Sequence, residues 1–497
     1  MLFNSYIFIL LFLPLALIGY FLCNTKGKYE WGKSFLTLMS LWFYAWFNVK
    51  YLPIIVGSIL INYFLYRLLL EKRGRAECRK KSLYITTAGV AANLGVLFYY
   101  KYFDFFLENI NVIFQTDFML QNVLLPLGIS FFTFQQVGFL VDTYRGETGN
   151  YSFMDYALFV TFFPQLIAGP IVTHDEMVGQ FADISKKKWN PDNFSRGFYG
   201  FVCGLAKKVL VADIFGKAVT WGYAHTDDLN GAAVIWLILS YSVQLYFDFS
   251  GYCDMARGIG QMFNIEIPLN FHSPYKAVDF VDFWKRWHIT LNRFFTKYVY
   301  IPLGGNRKGR MRTCMNIFLI YLVSGIWHGA GWTFFLWGIL HGLVYVMTKE
   351  LMPVLQKIPR VLRWGMTITL VQIFWVFFRA ERIGQALDIL CRAAGGDYSL
   401  SGMPIGFVEQ FGTAEFFYCL KMLHLDTILA GGVTACQYVL MLGYMAAAWM
   451  MLLLCKNTNE RVQGFHPTLG RAVFVTVLFL WSLVSFSEVS TFLYFNF

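Results

Sequence analysis

Apolar runs long enough to cross a bilayer alternate with short, mostly basic loops along nearly the whole chain. A spanning helix needs about 20 mostly apolar residues. Such stretches fall at 2–23, 34–49, 51–70, 83–100, 121–141, 155–172, 196–219, 231–250, 313–328, 331–348, 361–379, 433–455 and 472–490. In lipid each segment must satisfy its own backbone donors and acceptors, so these runs are expected as helices. The pattern predicts an all-α polytopic membrane protein of about 11–12 transmembrane helices, with re-entrant and interfacial pieces. No repeat and no soluble domain interrupts it, so residues 1–497 are read as a single transmembrane domain.

Three segments depart from the simple pattern. Ala168-Gly169-Pro170 breaks its run and suits a re-entrant turn. Lys207 and Lys208 sit inside 196–219, so that helix must face protein, water or an interface. Residues 383–394 are amphipathic enough to lie on the membrane surface.

The loops give an orientation. Lys26, Lys28 and Lys33 follow the first run, and Lys72, Arg73, Arg75, Arg79, Lys80 and Lys81 follow the third. Basic loops favour the cytoplasm, and two helices separate these, so their parity agrees. Arg307, Lys308, Arg310 and Arg312, then Lys456, Arg461 and Arg471, mark further cytoplasmic stretches. The N-terminus and residues 492–497 are then expected outside, with an even number of spans, twelve on this reading. The first run has no basic segment before it and no small-residue cleavage site, so it reads as a retained helix.

Composition agrees. The chain is 57% hydrophobic and 14% charged, where soluble proteins carry about 25% charged residues. Its net charge of +11 follows from the basic loops and does not require nucleic acid. The nine cysteines are scattered, never in C-x-x-C spacing, and read as apolar fillers; no metal site is expected. Metalloprotease, phosphate-loop, nucleophile-elbow and dinucleotide signatures are absent from the sequence.

Polar residues inside a membrane are costly, so each is a functional candidate. His328 closes an apolar run in Ser324-Gly325-Ile326-Trp327-His328-Gly329-Ala330-Gly331. The glycines let another group approach, and Ser324 shares a helical face with the imidazole. A titratable ring there suits a general base for an attacking hydroxyl; the alternative is a packing histidine. His288 lies in a stretch, 280–295, that reads as one amphipathic helix with Lys285, His288 and Asn292 on a second face. It is either a surface anchor or a tunnel wall whose cations, Lys285 and Arg286, meet an anionic donor. Asp248 shares a face with Tyr241 and Gln244; it orients a histidine, pairs with Arg286 or is a structural ion pair. His341 is a second-tier candidate. His174, His225, His272, His424 and His466 are expected in solvated positions.

Six passages together resemble the membrane-bound O-acyltransferase family. They are Leu125–Phe134 (LPLGISFFTF), Phe163–Pro170 (FPQLIAGP), Tyr246–Tyr252 (YFDFSGY), Phe283–Ile289 (FWKRWHI), Pro302–Arg307 (PLGGNR) and Trp327-His328-Gly329. They occur in family order over about 1–379, the motif-bearing core lying at about 120–350, and 433–490 matches less well. The nearest branch is bacterial, containing alginate O-acetyltransferases and D-alanyl transfer proteins of teichoic acid synthesis. The resemblance implies a ring of helices around a central tunnel and a thin partition. It implies His328 as the catalytic residue and His288 as the second histidine. Asp248, Tyr252, Lys285, Arg286, Asn292, Asn306, Ser324 and Trp327 are then expected along the substrate and donor tunnel.

The same resemblance implies a cytoplasmic thioester donor, acetyl-CoA or an acyl carrier protein's phosphopantetheine thioester, with no tightly bound cofactor. It implies an acceptor outside and an extracytoplasmic partner acyltransferase of SGNH or DltD-like type, in a bacterial inner membrane. The chain's length favours O-acetylation of a polysaccharide over D-alanyl transfer. A transporter or flippase without chemistry, or a synthase scaffold, are the rival classes; paired repeats of broken helices would mark the former, and the sequence shows none.

Overall fold

The structure is a computed structural model describing residues 1–25, 27–73, 76–422, 424, 432–486 and 491–493. Lys26, Arg75, and parts of the 472–490 run and of 492–497 lie outside the described residues. Those described are helical, with no strand among them, and they form a multi-pass membrane protein. Six helices are long and apolar enough to cross a bilayer: Phe8–Thr25, Val49–Glu71, Arg79–Lys101, Gly231–Met262, Arg360–Arg379 and Thr434–Leu453. The other expected spans are shorter or more polar. The 121–141 run becomes a helix only at Ile129–Arg145, and 155–172 becomes Phe153–Thr161, one helical turn at Phe163–Leu166 and a buried turn through Ala168-Gly169.

The Gly231–Met262 helix is the axis of the molecule. It runs 32 residues, about 48 Å at 1.5 Å per residue, and most of its side chains are buried. The Pro191–Ala206 helix lies against it along glycines. A Cβ on Gly197 would meet the Gly258 carbonyl at 2.5 Å, and one on Gly204 the Gly251 carbonyl at 2.6 Å. Small residues at such a crossing let two backbones touch without side chains between them. The 196–219 run then continues through a wider-wound segment, Lys207–Ala212, into Asp213–Ala224. There Lys208 is buried among Asp213 at 2.8 Å and Asp248 at 2.6 Å, and Lys207 meets Asp254 at 2.6 Å.

Two cations from the basic stretches meet the segment 146–155. Arg73 donates to the carbonyls of Gly146 and Thr148, and Lys33 meets Asp155 at 2.7 Å. Asp142, at the end of the Ile129–Arg145 helix, anchors this rim, taking Lys297 at 3.0 Å, the Tyr298 hydroxyl at 2.6 Å and His174 at 3.3 Å. Burial pushes its carboxyl up, but the hydrogen bonds from His174, Tyr298 and Lys297 outweigh burial and hold it below its ordinary range. His174 is thus buried in a network that includes the Tyr151 hydroxyl at 3.0 Å, and is not solvated as the sequence suggested. Its place at the start of a helix hid the tertiary partners.

Candidate functional site

The stretch 280–295 is not one helix. It forms Phe280–Arg286 and Ile289–Phe295, broken at His288, whose φ of 47° and ψ of 51° are left-handed. A non-glycine residue there is uncommon and needs tertiary support. Asn270 supplies it. Its carbonyl accepts from Ile289 N at 3.0 Å, and its side-chain oxygen accepts from Thr290 N at 3.2 Å and Thr290 Oγ1 at 2.9 Å. These bonds replace helical ones and turn the imidazole inward. Asn292 braces the break from the other side, its amide donating to the carbonyls of Trp284 at 2.6 Å and Trp287 at 2.8 Å.

His288 is fully buried. Its Nδ1 lies 3.2 Å from the same Asn270 oxygen. That oxygen is an acceptor, so Nδ1 carries the proton and Nε2 keeps the lone pair. The ring meets Phe249 edge-on at 4.9 Å. Phe249 is 18 residues into the axial helix, about 27 Å from one end and 20 Å from the other, so His288 sits at the molecule's waist.

His328 arrives there on the last residue of the Arg310–His328 helix, 3% exposed. The Trp332–Glu350 helix returns alongside it. Gly325 permits this close hairpin, since a Cβ there would stand 2.9 Å from the Gly338 Cα. The two imidazoles are 6.3 Å apart, centre to centre. Around His328 stand Trp327 at 4.9 Å, Trp337 at 5.3 Å and Phe378 at 5.2 Å. Phe134 stacks on Phe294 at 4.4 Å and on Trp327 at 5.3 Å, joining the two histidine-bearing elements. This explains why the passage 125–134 belongs to the site: its aromatic rings set the spacing of the pair.

Both imidazoles lie among aromatic side chains. Two recesses, one lined by Leu303 and Leu319 and one by Trp189 and Asn264, have neither histidine in their lining. Other sequence candidates fall at varied distances from this centre. Trp327 touches both histidines, with His288 at 6.2 Å. Ser324 is buried one turn before His328. Tyr252 is buried one turn past Asp248, stacked on Phe3 at 4.9 Å. Asp248 pairs with Lys208 and accepts from Leu493 N at 3.0 Å; it meets neither Arg286 nor a histidine. Arg286 pairs with Asp282 at 2.8 Å, while Lys285 and Asn306 are exposed. His288 therefore does not share a face with Lys285, because the chain reverses its helical course between them. His341 is buried against Trp337 at 4.1 Å, donating Nδ1–H to the Trp337 carbonyl at 3.0 Å.

Two residues of the site escaped the sequence pattern. Asn270 lies in an irregular connection without periodicity. Lys101 sits just past the run 83–100, where a lysine reads as an ordinary helix-end cation; its ammonium lies 3.1 Å from the His328 carbonyl.

Comparison with known proteins agrees with the motifs. The family described as "MBOAT, membrane-bound O-acyltransferase family" matches residues 7–379. A peptidoglycan O-acetyltransferase of Helicobacter pylori is 39% identical over 100% of this chain and 98% of its own. A probable alginate O-acetylase of Pseudomonas putida is 38% identical over 81% of this chain and 82% of its own. A teichoic acid D-alanyltransferase of Streptococcus thermophilus is 28% identical over 46% of this chain and 57% of its own.

Proposed function

This chain belongs to the membrane-bound O-acyltransferase family and is an acyltransferase, and we propose that it carries an acetyl group from a thioester on its basic side to a cell-envelope polysaccharide acceptor on the other. The observation that carries this reading is the histidine pair, 6.3 Å apart at mid-depth of the axial helix. Peptidoglycan is the acceptor we favour. The relative named for that polymer is 39% identical and aligns over 100% of this chain, whereas two D-alanyl relatives are 28% and 25% identical over 46% and 68% of it.

In this reading His328 is the general base. It takes the proton of an attacking hydroxyl, whose oxygen bonds to the thioester carbonyl carbon. The C–S bond breaks, and the thiolate leaves with the proton returned by the imidazolium. His288, fixed by Asn270 with its lone pair on Nε2, orients or hydrogen-bonds the reacting group. The donor is acetyl-CoA or an acyl carrier protein thioester, and an extracytoplasmic acyltransferase of SGNH or DltD-like type completes transfer.

The test is reconstitution of the purified protein in vesicles with radiolabelled acetyl thioester on one side and acceptor plus partner on the other. Label is expected in the acceptor with the native chain and not with His328→Ala. Transport of unmodified acceptor without label would favour a transporter. Labelling by His328→Ala at the native rate would remove the base from His328.

A further inference from the structure

We propose that Lys101 is a positioning residue for His328, an inference that rests on the catalytic reading of that histidine. Lys101 ends the Arg79–Lys101 helix, and its ammonium donates to the Trp327 carbonyl at 2.6 Å and the His328 carbonyl at 3.1 Å. It also lies 3.5 Å from Ser130 Oγ and 5.7 Å from the Trp327 ring centre. Every one of these partners belongs to the histidine site or to the passage 125–134 that spaces it.

Lys101 is half-buried, and its partners differ from those of the fold's ion-paired lysines. Lys33, Lys207 and Lys208 each have a carboxylate within 2.7 Å. Lys101 has none among the described residues; its charge meets carbonyl oxygens. Those carbonyls close a helix, where the last four have no partner within the helix and the dipole is negative. A cation there is stabilised without a carboxylate. Its three donors tie the backbone at Trp327 and His328 to the neighbouring helix. The imidazole hangs from that tethered backbone, so releasing Lys101 lets it drift from the reacting atoms.

Misplacing a reacting group by about 1 Å costs on the order of 100-fold in rate. Lys101→Met keeps the length of the side chain and removes its donors. We expect kcat to fall about 10- to 100-fold with KM for the thioester within about twofold. Lys101→Arg, whose fork can reach both carbonyls, is expected to recover to within about threefold of native. Size exclusion in detergent reports whether each variant assembles. Native kcat in Lys101→Met overturns the inference, as does a rise in KM at unchanged kcat. If Lys101→Met fails to assemble, Lys101→Arg decides: near-native kcat supports the role, and loss beyond about tenfold overturns it. His328→Ala in the same assay separates the two claims. If it remains active, the catalytic reading falls; if it is inert while Lys101→Met runs at native kcat, only Lys101 loses its role.

Discussion

Two polar regions lie along the axial helix, and they are built on opposite principles. Around Lys207 and Lys208, each cation is matched to carboxylates at 2.6 or 2.8 Å. Around His288 and His328, two imidazoles stand 6.3 Å apart among aromatic rings, and the nearby cation, Lys101, holds backbone carbonyls. Close ion pairs offset much of the cost of burying charge and leave little capacity for chemistry. Neutral imidazoles are cheaper to bury than ions and still exchange protons. The first region therefore reads as a brace and the second as a reaction centre.

Substitutions should separate the two. His328→Ala is expected to lower acyl transfer about 10²–10⁴-fold with little change in the detergent-solubilised Tm; an equal loss of Tm would make it a packing residue. Lys208→Met should do the reverse. It strands Asp213 and Asp248 in the interior, at a cost of about 3–5 kcal/mol in stability, while protein that remains folded keeps its kcat. Replacing Lys208, Asp213 and Asp248 together by apolar residues should recover much of that stability, since the uncompensated charge is gone.

The basic rim gives a pH test. Asp142 is held below its ordinary range in the fold, so its contribution is present above the unfolded pKa, about 3.9, and is lost as pH falls through the folded value. Denaturation midpoints should therefore drop below about pH 4, and Asp142→Asn should lose about 3 kcal/mol at neutral pH and flatten that acid limb. The smallest effect on rate is expected at Asn270→Ala, which removes the acceptor of Thr290 N, Thr290 Oγ1 and His288 Nδ1. The bond to His288 is worth about 1 kcal/mol, or about fivefold in kcat, and loss of the two Thr290 bonds adds to the cost in stability. A native rate there would show that the ring needs no fixed tautomer.

Much of the helical layout was legible. The run 51–70 is the helix Leu52–Glu71, and 331–348 is Trp332–Glu350. Lys207 and Lys208 were rightly read as facing something other than lipid. Less legible were helix lengths and breaks. The 231–250 run continues to Met262 because its polar end is covered by Pro191–Ala206 along facing glycines, a contact that hydropathy does not register. The stretch 280–295 has clean helical periodicity, yet Asn270, 18 residues before His288, breaks it with competing hydrogen bonds.

The sequence by itself determined the solvent of this protein, the positions of its helices and the histidines worth suspecting, because each follows from local apolarity and its interruptions. Tertiary structure alone decided that His288 turns inward near His328, that Asp248 belongs to Lys208, and that Lys101 reaches the end of the Arg310–His328 helix. Those pairings join residues tens to hundreds of positions apart, and the geometry of a donor and its acceptor exists only once the chain has folded.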